Sequence, residues 1–241
     1  TRVHDVTTAE ASLTLRYAPG ESFVNSKQRR IPVSLDAPIF TLTHAMGFKG
    51  VLGGEYSFNR TEASVWKRFW LPSSWGKIDC SIKAGAEWNT VPFPLLILPE
   101  ANLSYITQRE TFNLINNMEF LNDRFASVSL SYDMNGKLFN RIPLIKNLKW
   151  REMFRVRALW GTLTDKNNPF KSSNPDLFRF PMRDGKFTSF VMDPKIPYVE
   201  ASVGIYNIFK LLHIEYVHRF TYRDNPGINK NGVRFMVLMA F

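Results

Sequence analysis

A single cysteine, Cys80, serves all 241 residues, so no internal disulfide can form and no cysteine-based metal site is available. Histidine is equally scarce, four residues without ligand spacing. Long hydrophobic runs are missing too. The longest, 91–99, contains Pro92, Pro94 and Pro99 and reaches only about half of the ~20 residues that a membrane-crossing helix needs. Acidic residues are in deficit, 21 against 31 Lys and Arg, for a net charge of +10. The start, Thr1-Arg2-Val3-His4-Asp5, lacks a Met, a basic n-region and an apolar h-region. The expectation is a processed product or a fragment of something longer. Intrinsic disorder is excluded by composition, because 44% hydrophobic and 14% aromatic content is too much apolar surface for a solvated polymer.

Helical periodicity is nearly absent, and strict alternation takes its place. Ile78, Cys80, Ile82, Ala84, Ala86 and Trp88 alternate with Lys77, Asp79, Ser81, Lys83, Gly85 and Glu87. Ala9 to Tyr17 repeats the pattern, as do 125–134, 153–163, 199–205, 212–220 and 233–241. Segments 39–48, 55–70 and 101–108 alternate less regularly, giving a predicted total of nine or ten strands. Segment 110–123 fits a helix through Phe112, Ile115 and Met118 and a strand through Phe112, Leu114, Met118 and Phe120, and the choice stays open. No composition shift divides the chain, so one domain is expected.

Alternation alone describes a soluble sandwich as well as a barrel. Three features favour the barrel. The strands run to about 10–12 residues, the length of a tilted membrane-crossing strand. Their polar faces mix small residues (Gly85, Gly161, Gly204, Ser127, Ser202) with charges of both signs. Aromatics sit where interfacial girdles would lie: Tyr17, Trp66, Phe69, Trp70, Trp75, Trp88, Tyr132, Trp150, Trp160, Tyr198, Tyr206 and Phe220. The predicted fold is therefore all-β, an antiparallel transmembrane outer-membrane β-barrel, whole or part of a larger one.

This reading assigns roles to particular residues. Arg155, Arg157, Glu200, Glu215, Arg219 and Arg234 share polar strand faces and are expected to form a lumen network, because buried charges must pair or stay wet. Trp66, Lys67, Arg68, Phe69 and Trp70 have interface composition, suited to lipids including the anionic headgroups of lipopolysaccharide. The surplus positive charge also invites a nucleic-acid reading, but no recognition motif accompanies it and no nucleic-acid partner is expected. No serine elbow accompanies His44, His213 or His218, so an enzyme is not expected, although His213 and Glu215 share a face. Asp165, Asn167, Asn168 and Asp184 match no calcium-loop spacing, and no cofactor is called for.

The run Tyr198-Val199-Glu200-Ala201-Ser202-Val203-Gly204-Ile205-Tyr206-Asn207-Ile208-Phe209-Lys210, followed by 212–219 and a last strand ending in Phe241, resembles the closing strands of BamA-type barrels, the bacterial surface antigen superfamily. The blocks Arg29-Arg30-Ile31-Pro32-Val33-Ser34, Lys67-Arg68-Phe69-Trp70, Val91-Pro92-Phe93-Pro94-Leu95-Leu96, Asn140-Arg141-Ile142-Pro143-Leu144-Ile145 and Asp165-Lys166-Asn167-Asn168-Pro169 are similar to a family of uncharacterised Bacteroidota outer-membrane proteins. In that family a carboxypeptidase-regulatory-like domain precedes such a barrel, so the resemblance implies an N-terminal periplasmic domain that this chain does not include. The resemblance implies residence in the bacterial outer membrane and a role in assembling or translocating outer-membrane or secreted proteins, with the assembly machinery and other outer-membrane proteins as partners. A passive channel or a structural outer-membrane barrel without client proteins is the alternative, because the Arg-Gly-Phe-type lumen tripeptide of that superfamily is missing. Its nearest approach is Arg179-Phe180-Pro181-Met182-Arg183-Asp184-Gly185. The final strand, with Val233, Phe235, Val237, Met239 and Phe241 on one side, resembles the C-terminal signal that such machinery reads.

Overall fold

The computed structural model describes residues 5–25, 27, 29–108, 110–171, 177–183 and 185–237. Period-two segments become strands, since alternate side chains of an extended chain leave on opposite faces. In chain order these are β1 Glu10–Tyr17, β2 Phe23–Asn25, β3 Arg30–Pro32, β4 Ile39–Gly47, β5 Phe58–Trp70, β6 Lys77–Glu87, β7 Arg124–Asp133, β8 Arg151–Thr162, β9 Met182–Arg183, β10 Lys186–Phe187, β11 Tyr198–Ile208, β12 Leu212–Arg219 and β13 Asn231–Val237. One short helix, α1 Pro143–Leu148, lies between β7 and β8. Proline fits its first turn, where a backbone N–H would lack a partner anyway.

Nine strands make one antiparallel sheet in the order β1-β4-β5-β6-β7-β8-β11-β12-β13, and two small ribbons pair β2 with β3 and β9 with β10. Each long strand pairs with the next long strand in the chain, a meander. The sheet is open, because β1 and β13 are its two edges and do not pair with each other among the described residues. Sequence alternation predicts a membrane barrel, whole or part of a larger one; the structure has an all-β antiparallel sheet that is not closed among the described residues. At the β13 edge the physical reason is visible. Phe235 N–H donates to the Tyr105 carbonyl at 2.9 Å, and Thr107 N–H donates to the Phe235 carbonyl at 2.8 Å, so an internal segment already occupies that edge.

Segment 88–123, between β6 and β7, covers one face of the sheet. Neither the strand expected at 101–108 nor a helix or strand over 110–123 forms. Apart from a 3-10 turn at Phe93–Leu95, only isolated bridges occur: Ile97 with Asn122, Ala101 with Phe112, Ile106 with Phe235 and Phe120 with Phe190. Apolar side chains of this insert build two cores against the sheet. Val91, Leu96 and Leu121 pack with Phe58, Leu163 and Phe180, while Phe112, Ile115 and Phe120 pack with Leu159, Met192 and Tyr198. Phe180, from the nearest approach to the lumen tripeptide, is thus a core residue packed edge-on to Phe170.

The two faces of the sheet invert the usual arrangement of a soluble protein. A cross-strand row of Tyr17, Phe40, Val65, Ile82, Val128, Ala158 and Val199 lies on a face that no segment of the described residues covers. There Ile82, Val156 and Val203 expose 46%, 46% and 50% of their surface. On the opposite, covered face a row runs through Trp66, Ser81, Ser129, Arg157, Glu200 and Arg219, and its charged members are buried.

Glycine on the covered face makes room for the insert. A Cβ at Gly161 would lie 2.2 Å from Asn122 Oδ1 and 2.7 Å from the Met192 sulfur. Gly161→Ala is therefore expected to cost about 1–3 kcal/mol through overpacking, read as a lower urea midpoint with an unchanged slope.

Candidate functional site

Among the described residues the covered face carries three buried ion pairs, and two of them reach the backbone of the insert. Arg157 Nη1 donates to Glu200 Oε1 at 3.0 Å. Glu200 also accepts the N–H of Asn113 at 2.9 and 3.1 Å, the N–H of Leu114 at 3.0 Å and the Tyr198 hydroxyl at 2.9 Å. One carboxylate on the sheet thereby satisfies two N–H groups of a segment with no ladder of its own, which is how irregular backbone becomes buriable.

Arg219 works in the complementary sense. Its fork meets Glu119 at 2.6 and 3.0 Å, and it donates to the carbonyls of Leu114, Thr221 and Tyr222. Both side chains are at most 1% exposed. Glu119 is further held by the Asn116 N–H and Asn225 Nδ2. The third pair joins Arg155 Nη1 to both oxygens of Glu215 at 2.8 Å. Arg234 Nη2 donates to the Asn113 carbonyl. The six residues chosen from strand parity are thus together on one face, and four of them, Arg157, Glu200, Arg219 and Arg234, hold the insert.

Ser202 Oγ donates to Glu215 Oε1, and His213 Nε2 lies 3.3 Å from Glu215 Oε2. Serine and histidine therefore share one carboxylate instead of facing each other, unlike a nucleophile with its base. Asn167 Nδ2 donates to Asp123 at 2.9 Å, and Lys171 pairs with Asp165 at 2.9 Å. Asp184 lies outside the described residues.

The block at 66–70 is divided by the sheet. Trp66, Arg68 and Trp70 face the covered side, Lys67 and Phe69 the bare side, as alternation requires. Arg68 is committed to Asp79 at 2.6 and 2.9 Å and lies 5.4 and 5.6 Å from the Trp66 and Trp70 rings. Lys67 Nζ donates to the Asp36 carbonyl. Four expected girdle aromatics are corrected by parity: Trp66 and Trp70, already placed on the covered side, and Tyr198 and Tyr206. Tyr198 is fully buried on the covered face against Phe112 and Phe120, and the Tyr206 hydroxyl donates to Asp133. Of the last-strand residues, Val233, Phe235 and Val237 are exposed on the bare face, while Met239 and Phe241 lie outside the described residues.

Between insert and sheet remains a cavity of about 440 Å³ lined by Glu62, Trp66, Arg68, Lys83, Glu100, Asn122, Ser127, Ser129, Arg155 and Arg157 among others. Serines from β6 and β7 floor it, because Ser81 and Ser129 share one covered-face row and Ser127 and Ser131 stand in the covered-face rows on either side. Sequence parity missed Glu62, Glu119 and Asn122. Glu119 had one legible signal, being the only charge in 111–122.

No curated protein matches the chain. Residues 2–170, which span β1 through β8 and the whole insert, match the C-terminal domain of a family of unknown function, DUF5686, and the chain belongs to that family.

Proposed function

We propose that this chain is a wall of an outer-membrane β-barrel in a Gram-negative bacterium, and that it assists the assembly or translocation of outer-membrane or secreted proteins in the manner of BamA-type barrels. The observation that carries the membrane part is the inverted sheet: long strands whose apolar side chains stay bare and whose ion pairs are buried. In water such a surface is an aggregation liability, whereas in hydrocarbon it is the stable arrangement. Lipid covers the bare face, and cations at the strand ends meet lipopolysaccharide phosphates.

The assembly role is supported by the outer edge of β1, which pairs with no strand among the described residues and all eight residues of which are exposed, since an unpaired edge offers N–H and C=O groups to an incoming strand. Depletion of the full-length protein is expected to lower the abundance of other outer-membrane proteins by several-fold in quantitative proteomics. An unchanged profile contradicts it. The insert favours the alternative, a structural barrel without clients, because it fills the covered side. Planar-bilayer conductance separates the two further. A structural barrel held by the Arg219–Glu119 pair conducts little, and Arg219→Ala is expected to raise its conductance.

A further inference from the structure

β5, β7 and β11 finish at the same end of the sheet, and the connections that follow them are 71–76, 134–150 and 209–211. Together these carry five cations, Lys137, Arg141, Lys146, Lys149 and Lys210, and no acidic residue. Arg141, Lys146, Lys149 and Lys210 make no side-chain hydrogen bond or ion pair among the described residues. The acids that flank 134–150 are already taken, Asp133 by Lys77 at 3.6 Å and Glu152 by the Leu138 N–H at 2.7 Å. The fourth connection at this end, 18–38, sets three cations against two acids. Connections at the opposite end, 48–57, 88–123, 163–197 and 220–230, all mix charges of both signs.

A second observation is independent of charge. The same connections leave large apolar side chains bare: Leu144 and Phe209 each expose 81% of their surface, and Leu148 exposes 50%. Leu144 and Leu148 stand four apart in α1 and share one side of it, while Lys146, two residues from each, is on the other. Their place in the fold follows from Glu152. It has the parity of Phe154 and Val156, whose side chains lie on the bare apolar face, yet it is only 4% exposed. The 134–150 connection folds onto that side and buries it, held by the Glu152 carboxylate and by Asn207 Nδ2, which donates to the Lys149 carbonyl at 2.7 Å. Lys137 Nζ fastens the other flank to the Ser73 carbonyl at 2.8 Å. The three connections therefore form one surface at the rim of the bare face, basic and apolar together.

We propose that this surface is an interfacial anchor seated in the headgroup layer of an anionic phospholipid leaflet, with Leu144, Leu148 and Phe209 below the phosphates and Arg141, Lys146, Lys149 and Lys210 pairing with them. Charge and apolar exposure choose the occupant together. Cations without protein partners beside bare leucines are the composition of helices that lie in an anionic interface, and the long stem of Lys146 lets its ammonium reach the phosphates from the far side of α1. The longest connections, 88–123 and 163–197, lie at the opposite end, and outer-membrane barrels keep their longer loops outside the cell and their short turns in the periplasm. The anchored leaflet is therefore the periplasmic one, which leaves lipopolysaccharide to the cations of the opposite strand ends. The inference rests on the membrane reading above and adds to it an orientation and a lipid class.

The test uses the 241-residue chain with Cys80→Ala and one fluorophore-labelled cysteine, Leu144→Cys or Ile82→Cys, reconstituted in vesicles of phosphatidylcholine alone or mixed with phosphatidylglycerol. Acrylamide, uncharged and water-soluble, quenches a label that meets water. Quenching at 144 is expected to fall several-fold when phosphatidylglycerol is present, while the label at 82 stays shielded in both vesicles. Combining Arg141→Gln, Lys146→Gln and Lys149→Gln should abolish that fall at 144. All three side chains are exposed, so the variant keeps its fold, and an unchanged label at 82 checks this. Strong quenching at 144 in both lipids with 82 shielded would overturn the anchor and leave the membrane reading standing. Equal shielding at 144 in both lipids, or a fall that survives the triple variant, would overturn the anionic partner, and free quenching at 82 would overturn the anchor together with the membrane reading.

Discussion

Arg219→Ala is expected to lower the unfolding free energy by about 3–5 kcal/mol, the largest loss available from one side chain on the covered face. The reasoning begins with what remains after truncation. Glu119, at most 1% exposed, would keep a negative charge with only Asn116 and Asn225 as donors, and a buried charge stripped of its partner costs several kcal/mol. The carbonyls of Leu114, Thr221 and Tyr222 would lose their donor as well. The loss should be local before it is global. Amides of 112–119 are expected to lose hydrogen-exchange protection first, with the strand ladder of β5 to β8 unchanged under native conditions. Replacing both partners by apolar residues, Arg219→Met with Glu119→Leu, should recover much of the loss, since a well-packed apolar pair often equals a buried ionic one. The exposed pair Lys171–Asp165, with side chains 61% and 74% exposed, supplies the contrast. Its removal is worth about 0–1 kcal/mol.

Ile82→Arg gives the second large effect, and its size depends on what lies against the bare face. Ile82 pairs with Val65 and Val128 near the middle of their strands and exposes 46% of its surface. In water a half-exposed substitution of this kind usually stays within about 0.5 kcal/mol. Against hydrocarbon an arginine near the bilayer midplane costs about 2–4 kcal/mol, less toward the interfaces. Urea unfolding from liposomes should return the larger figure. Ser81→Ala, the adjacent residue on the covered face, should cost less than 1 kcal/mol, because the Ser81 hydroxyl makes no hydrogen bond among the described residues.

Strand existence and face assignment were readable because both follow from period two. Ile78 to Trp88 sorts into two chemistries, and the sheet keeps that sorting across all its neighbours. The same parity, applied strictly, would have moved Tyr198 and Tyr206 off the girdle, since Val199 and Ile205 hold the bare face between them. The insert was illegible for a physical reason. Its backbone is satisfied by side chains about 90 to 100 residues away, Glu200 for Asn113 and Leu114, Arg219 for Leu114, and no local period records such bonds. Openness at the β13 edge was hidden likewise, because the bridge of Ile106 to Phe235 joins segments that do not alternate in register.

The membrane reading is tested most directly by collision accessibility of a nitroxide on the two faces of one strand. Cys80 is the only native cysteine, so a Cys80→Ala background carrying Ile82→Cys or Ser81→Cys gives a single label at adjacent positions of β6. Reconstituted in liposomes, the label at 82 is expected to collide with dissolved oxygen and hardly with a water-soluble nickel chelate. The label at 81 should show little preference for oxygen. Chelate collisions at 82 equal to those of a soluble protein surface, or indistinguishable profiles at 81 and 82, would contradict the claim that the bare apolar face lies against lipid.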